Sequence, residues 1–458
     1  MFLRISKIFL YLSLLSIVIV LTSTFFPFIG GKYYFFQVCV ELALIFFVLW
    51  WAFQALEGEV EGNIKKIISQ PLFLAVSVFV FVYLLASIFA LDPNAAFWSN
   101  FERGDGGFQM LHYYIFFVLL IAVFKNWDDW KWAFYLSIAA GIIMIAYGVL
   151  AQLEVVKTFI NPYRGSPPEG SWAKLVAGRF QGTLGNPSYV APYLLFSMFY
   201  ALYLWFKKQW ENKWLQALAY GGLTIIFLFF FFLTQTRGAI LGLGAAILAF
   251  LIYTIFQSTG KIKNWSVAVL VAVVLFTGVA WIYRDNPIIQ KIPGSQVLQI
   301  NLANRDTQTR LWTWGSAWQG FKERPILGWG PENFSAIFDK HFNPNHYLPN
   351  QESETWFDRA HSIFFDYLAE TGILVLLSYL GIFIIFYWQF FKKQTKILSQ
   401  GPPAIRHILL SGLLFAIPIA YIVQGLFLFD VLPIHLNLFL VFAFGYYLFN
   451  NENHAAQH

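Results

Sequence analysis

Three short stretches carry the side chains that could do chemistry. The first is Thr234-Gln235-Thr236-Arg237-Gly238, where one guanidinium sits between two apolar runs. A charge so close to hydrocarbon is costly, and such junctional ionisable residues are functional by default. Arg237 either meets a lipid phosphate or snorkels to the interface. The second is Asn304-Arg305-Asp306-Thr307-Gln308-Thr309-Arg310-Leu311-Trp312-Thr313-Trp314. Thr309 or Asp306 could cap a helix whose early turns present Arg310; the alternative is an amphipathic surface helix with Trp312 and Trp318 toward lipid. The third, Phe357-Asp358-Arg359-Ala360-His361-Ser362, opens another apolar run. Histidine accepts a proton near neutral pH, which suits a general base acting on a hydroxyl, although a lone histidine is often structural. On a helix continuing from His361, Asp366 and Glu370 would fall about 140° and 180° around from it, so neither is an obvious carboxylate partner.

Other chemistries find little support. His341, His346, Glu352 and Glu354 match no strong ligand spacing, so no metal site is expected. The single cysteine, Cys39, lies in an apolar run, which excludes a disulfide framework and a thiolate metal site. No phosphate-binding glycine loop, dinucleotide fingerprint or Ser/His/Asp arrangement is legible, and no cofactor is expected.

The elements that must position these residues follow from composition. Of 458 residues 58% are hydrophobic and only 12% charged, against roughly 25% charged in a soluble domain, and the mean hydropathy is +0.60. Apolar runs recur at the length of about 20 residues that a helix needs to cross a bilayer. Barrel strands would alternate instead. The chain therefore reads as an all-α polytopic membrane protein with about twelve transmembrane helices. The expected spans are 8–28, 33–56, 70–91, 107–125, 131–152, 187–206, 215–233, 238–257, 264–283, 361–391, 405–427 and 431–449. The first is read as uncleaved, since it closes on Phe25, Phe26 and Pro27 without a small-residue cleavage site. The organisation is five spans over 1–152, an outer loop over 153–186, four spans over 187–283, a large outer cap over 284–360, and three spans with a short tail over 361–458.

Charge sets the orientation. The net charge of +6 is no nucleic-acid signal here; what matters is where the bases sit. With the N-terminus inside, Arg4, Lys7, Lys65, Lys66, Lys125, Lys131, Lys207, Lys208, Lys213, Lys261, Lys263, Lys392, Lys393, Lys396 and Arg406 border the inner face. Both termini are then cytoplasmic. The inner bases are mostly Lys, whereas the outer ones include Arg103, Arg164, Arg179, Arg237, Arg284, Arg305, Arg310, Arg324 and Arg359. Arginine suits planar, bidentate recognition of phosphate. As a group on one face these residues imply an anionic, phosphate-bearing ligand reached from outside, although any one of them could instead pair with a loop carboxylate. The 153–186 loop holds the turn-rich Asn161-Pro162-Tyr163-Arg164-Gly165-Ser166-Pro167-Pro168. The cap is long enough for short helices, Thr309–Phe321 being one candidate that ends before Pro325. Its Trp312, Trp314, Trp318, Phe321 and Trp329 argue for a packed cap that closes a site.

These motifs carry a family resemblance. Thr236-Arg237-Gly238 resembles the arginine-glycine element of the bacterial O-antigen ligase and O-antigen polymerase superfamily. Arg310-Leu311-Trp312, followed by Pro325-Ile326-Leu327-Gly328-Trp329-Gly330-Pro331-Glu332-Asn333-Phe334, resembles its cap signature. His361-Ser362 with Tyr367-Leu368-Ala369-Glu370-Thr371-Gly372-Ile373-Leu374 resembles its histidine-led helix. Upstream, Gly178-Arg179-Phe180-Gln181-Gly182-Thr183-Leu184-Gly185-Asn186-Pro187 is similar to its Gly-Thr-x-Gly-Asn-Pro element. Two positions depart from the pattern: Ser362 stands where Asn is frequent, and Thr236 where Ser is common.

The resemblance implies a membrane-embedded, metal-independent, inverting C-type glycosyltransferase. It would move a glycan from a polyprenyl (undecaprenyl) pyrophosphate donor to an acceptor hydroxyl at the outer face of the bacterial cytoplasmic membrane. Carried over by residue, Arg237 and Arg310 bind the pyrophosphate and His361 takes the acceptor proton. Arg179, Asn186, Arg305 and Arg359 are the candidate substrate-binding residues. The acceptor would be lipid A core, another glycan chain or a protein hydroxyl. The short tail after the last span disfavours the protein acceptor of an O-oligosaccharyltransferase. A non-enzymatic lipid-linked glycan flippase or exporter would need charge along a central cavity, and the middles of most spans are uncharged.

Overall fold

In hydrocarbon every backbone polar group must be satisfied within its own segment, and the apolar runs accordingly form helices. The structure, a computed structural model, describes residues 1–56, 67–100, 104–156, 170–207, 211–290, 294–299, 301, 303–347, 355–399 and 403–450. Lys65, Lys66, Arg103, the 161–168 stretch with Arg164, Lys208, Glu352 and Glu354 lie outside the described residues. Among the described residues there is no strand, and ten helices are long and apolar enough to cross a membrane. Gly107–Val123 is a shorter apolar helix. The chain is an all-α, multi-pass membrane protein.

The first expected span, 8–28, is not one helix. Phe2–Ser13 is α-helical and tightens to a 3₁₀ turn over Leu14–Val18, after which Ile19 is extended (φ −70°, ψ 124°). The β-branched run Ile17-Val18-Ile19-Val20 and then Thr22-Ser23-Thr24 are weak helix formers. The carbonyl of Ile19 instead accepts from the buried ammonium of Lys32, and Leu21 N–H donates to Pro27 O at 3.0 Å.

The chain divides into two compact units. One comprises residues 1–129, 301–391 and 425–452. In it Phe2–Ser13 packs on Gly30–Leu56, and Gly107–Val123 packs on Gly30–Leu56, Pro71–Ile88 and Leu432–Asn450. Buried Phe36, Tyr113, Phe116 and Phe439 fill the contact. The cap helix expected over Thr309–Phe321 runs over Arg305–Glu323 and is followed by Phe334–Lys340. Ala317, Trp329, Phe334, Ile337, Phe338, Phe357, Ala360 and Ala369 form their shared core, so the cap is a packed body.

The other unit comprises residues 130–300 and 392–424. Pro187–Lys207 packs on Gly222–Leu233 and on Arg237–Gln257, which in turn packs on Gly260–Ile282. The 153–186 loop contributes the short helix Ser171–Ala177 and a 3₁₀ turn at Gly182–Leu184.

Candidate functional site

In the second unit, Arg237 is the first residue of Arg237–Gln257, with Thr236 at the N-cap. The turn before it is tight: Gln235 is left-handed, with φ +53°. Two elements hold this turn. Arg179 donates from Nε to Thr234 O at 3.0 Å and from Nη2 to Thr236 Oγ1 at 3.4 Å. Thr236 Oγ1 donates to Pro187 O at 3.2 Å, and Phe180 N–H donates to Leu233 O at 3.0 Å. The 178–187 motif thus builds the turn that presents Arg237, and the hydroxyl at 236 is structurally employed, as a serine there would be. Asn186 caps the Pro187–Lys207 helix, its Oδ1 accepting from Ser188 N–H at 2.8 Å. Arg179 and Asn186, the candidate substrate-binding residues, both also bond to the local backbone.

In the first unit, Arg310 and His361 come together. Arg310 and Trp314 lie one turn apart on Arg305–Glu323, and they grasp consecutive carbonyls. Arg310 Nη1 donates to His361 O at 3.3 Å and to Phe427 O at 2.6 Å. Trp314 Nε1 donates to Ala360 O at 3.0 Å, and its ring stacks on Phe365. The helix begins with Asn304 at the N-cap, without a side-chain cap bond. Neither Asp306 nor Thr309 is the expected cap, because the helix starts at Arg305; Asp306 lies in the first turn, where its charge complements the positive end of the dipole. Arg305 donates to His346 O at 2.7 Å and lies over the Trp312 ring. It ties the cap together.

His361 is not in the helix that follows it. It is left-handed, with φ +57°, and the helix starts at Ile363 after the Ser362 N-cap. Because the helix does not run through position 361, its turn does not set the placement of Asp366 relative to His361. Asp366 instead accepts the Ala360 N–H at 2.7 Å. His361 Nδ1 lies 3.2 Å from Arg359 O. A carbonyl can only accept, so in the neutral imidazole this contact favours the proton on Nδ1 and the lone pair on Nε2. The rings of Phe357 and Phe429 stand edge-on to the imidazole at 5.5 and 5.2 Å.

Arg359 is buried. Its Nη1 donates to Glu370 Oε2 at 2.8 Å, and its Nη2 pairs with Glu332 Oε1. Glu332 belongs to the cap signature and Glu370 to the histidine-led helix motif, and neither was expected to pair with Arg359. The reason for the glycines in those motifs is visible too. A π-helical turn at Tyr367–Thr371 releases the carbonyls of Ala369 and Glu370, and these accept from Trp329 and Gly330 at 3.2 and 2.6 Å. Gly328 (φ +65°) passes so close that a Cβ would stand 2.4 Å from the Glu370 backbone. Phe427 and Phe429, in the connection before Leu432–Asn450, had no legible signal in the sequence.

Further out, His346 is buried among Trp312, Phe338, Phe342 and Phe357. Burial, helped by the Arg305 guanidinium, holds its pKa below the ordinary histidine value. Lys340, by its hydrogen bond, holds the Glu323 carboxyl below the usual carboxylate range, and His341 Nε2 lies 3.1 Å from the same carboxylate. Among the described residues no group of three His, Cys, Asp or Glu could hold a metal ion.

This geometry, an arginine-bearing cap helix bonded to the backbone of a left-handed histidine, can be set beside known families. Residues 222–380 match the family model described as O-antigen ligase. The matched segment includes Arg237, Arg305, Arg310, Arg359 and His361, while Arg179 and Asn186 precede it. The match supports the resemblance to the O-antigen ligase superfamily and a function of the O-antigen ligase or polymerase type in general. A search of curated proteins finds no match.

Proposed function

We propose that the protein transfers a glycan from a polyprenyl pyrophosphate donor to an acceptor hydroxyl at the outer face of the cytoplasmic membrane, as an O-antigen ligase or polysaccharide polymerase. The observation that carries the reading is the seat of Arg310: one guanidinium nitrogen bonds the backbone of His361 itself, which supports assigning phosphate binding to the first and proton acceptance to the second. In the reaction, His361 Nε2 takes the proton of the acceptor hydroxyl as its oxygen attacks the anomeric carbon. The glycosidic C–O bond to pyrophosphate breaks, and its electron pair leaves on the pyrophosphate. Arg310 and Arg237 stabilise that growing charge, the kind of electrostatic contribution that usually dominates catalysis. A single in-line attack inverts the anomeric centre.

In this reading the guanidinium groups do the work that a metal would otherwise do. Arg179 positions Arg237, Asn186 fixes the neighbouring helix, and Arg305 steadies the cap helix that carries Arg310. The test uses the purified full chain in lipid nanodiscs, with polyprenyl-pyrophosphoryl glycan and lipid A core or glycan acceptors offered in turn. Transfer to one of these hydroxyls with an inverted linkage is expected. A protein that binds the donor yet transfers to neither, and instead moves the donor across the bilayer, would overturn the proposal.

A further inference from the structure

Arg359 is the candidate substrate ligand that the fold encloses between two carboxylates. Its guanidinium lies between two buried carboxylates, Glu332 and Glu370, whose side chains are 2% and 4% exposed. Every oxygen of that pair is engaged. Glu332 Oε2 accepts from Asn100 Nδ2 at 3.2 Å, and Glu370 Oε1 accepts from Phe334 N–H at 3.2 Å. With both carboxylates closed on it, the guanidinium is already committed within the fold. Pulling the guanidinium away would strand two carboxylates without their counter-ion, a strongly destabilising event.

The main chain of the same residue has another task. The carbonyl of Arg359 is the acceptor for His361 Nδ1 at 3.2 Å. The peptide around it is pinned by Asp366 on Ala360 N, Trp314 on Ala360 O and Arg310 on His361 O. From these contacts we infer that Arg359 is a positioning residue: bridging Glu332 of the cap to Glu370 of the membrane helix, it fixes the carbonyl that holds His361 in its Nδ1–H tautomer. The inference rests on the proposed role of His361 as base, since only Nε2 free of its proton can accept one from the acceptor. It also gives a task to Glu332 of the cap signature and to Glu370 of the helix motif. Each supplies one jaw for the same guanidinium. An imidazole without the carbonyl populates both tautomers, and in the Nε2–H form the nitrogen that should take the proton already has one.

The test is the full chain in nanodiscs with Arg359→Gln combined with Glu332→Gln, which removes one charge of each sign. Three quantities are read: the tautomer of His361 from its ¹⁵N shifts, assigned by difference from a His361→Asn variant; the Kd for polyprenyl pyrophosphate; and the single-turnover rate of bound donor. The ¹⁵N signature should change from Nδ1–H to a mixture. Donor Kd should stay within about twofold, and transfer should fall by roughly 10²-fold, the scale of a misplaced catalytic group. An unchanged tautomer overturns the inference whatever the rate does. A tenfold or greater weakening of Kd with normal transfer of bound donor also overturns it and makes Arg359 a ligand. If the double variant fails to fold, Arg359→Lys is read in the same way: its ammonium should preserve Nδ1–H in part and rescue transfer in part. Normal transfer by His361→Asn would instead refute the base assignment and leave the tautomer result standing.

Discussion

Replacing His361 with asparagine isolates its chemistry from its structural cost. The position has φ +57°, a conformation in which asparagine is enriched and most other side chains cost about 1–2 kcal/mol. Alanine would therefore add backbone strain to the loss of the base, whereas asparagine keeps the turn. What asparagine loses in packing is the edge-on contact with Phe357 and Phe429, about 0.5–1.5 kcal/mol for each ring. What it loses in catalysis is the only nitrogen able to accept a proton, a factor of about 10² to 10⁴ in turnover, or about 2.7–5.5 kcal/mol on the barrier. Thermal unfolding, donor binding and single-turnover transfer should be measured on the same preparation. The expected result is a folded protein with near-normal donor affinity whose bound donor reacts at least 100-fold more slowly. A collapse of donor binding with normal transfer of whatever remains bound would mean that His361 seats the donor and takes no proton.

Arg237→Lys and Arg310→Lys should each lose most transfer while the protein inserts and folds, because an ammonium does not reproduce a bidentate guanidinium on pyrophosphate. The same change at Arg284, which lies over the Trp281 ring, should leave transfer nearly intact, and equal losses at all three would refute the distinction. Gly328→Ala should lower stability by about 2–5 kcal/mol, combining left-handed strain with overpacking against the Glu370 backbone; a Tm like that of the parent would show that the loop does not dock there. Reporters should read cytoplasmic when fused after Asn450 and external when inserted at Asn345, and the reverse pattern would remove the outward site. Because the folded-state pKa of His346 lies below the ordinary value, the folded cap takes up this proton less readily than the unfolded chain. Its contribution should be constant above about pH 6.5 and should fall as pH drops through that value, as cap unfolding by hydrogen exchange can show, and His346→Phe should flatten the change.

Local and additive signals are what the sequence made legible. Hydropathy marked the spans, and the Thr309–Phe321 pattern found the cap helix to within a turn at either end. The first span misled because a window average counts Ile17, Val18, Ile19 and Val20 as hydrophobic without registering their reluctance to stay helical, and because the acceptor for Lys32 exists only once the helix has ended. The π-turn at Tyr367–Thr371 and the left-handed His361 escaped for a related reason. Each is held by partners distant in sequence: Trp329 and Gly330 for the first, Arg310 for the second. Arginine shows the limit most clearly. Its abundance in the loops expected on one face suggested a shared task, yet the same residue type does different work at each position. Arg179 builds a turn, Arg305 braces the cap, and Arg359 is closed between carboxylates 27 and 11 residues away in the chain. Composition counts these guanidinium groups alike, and only the carbonyls and carboxylates that fold up against each one separate a group available to a ligand from one already committed.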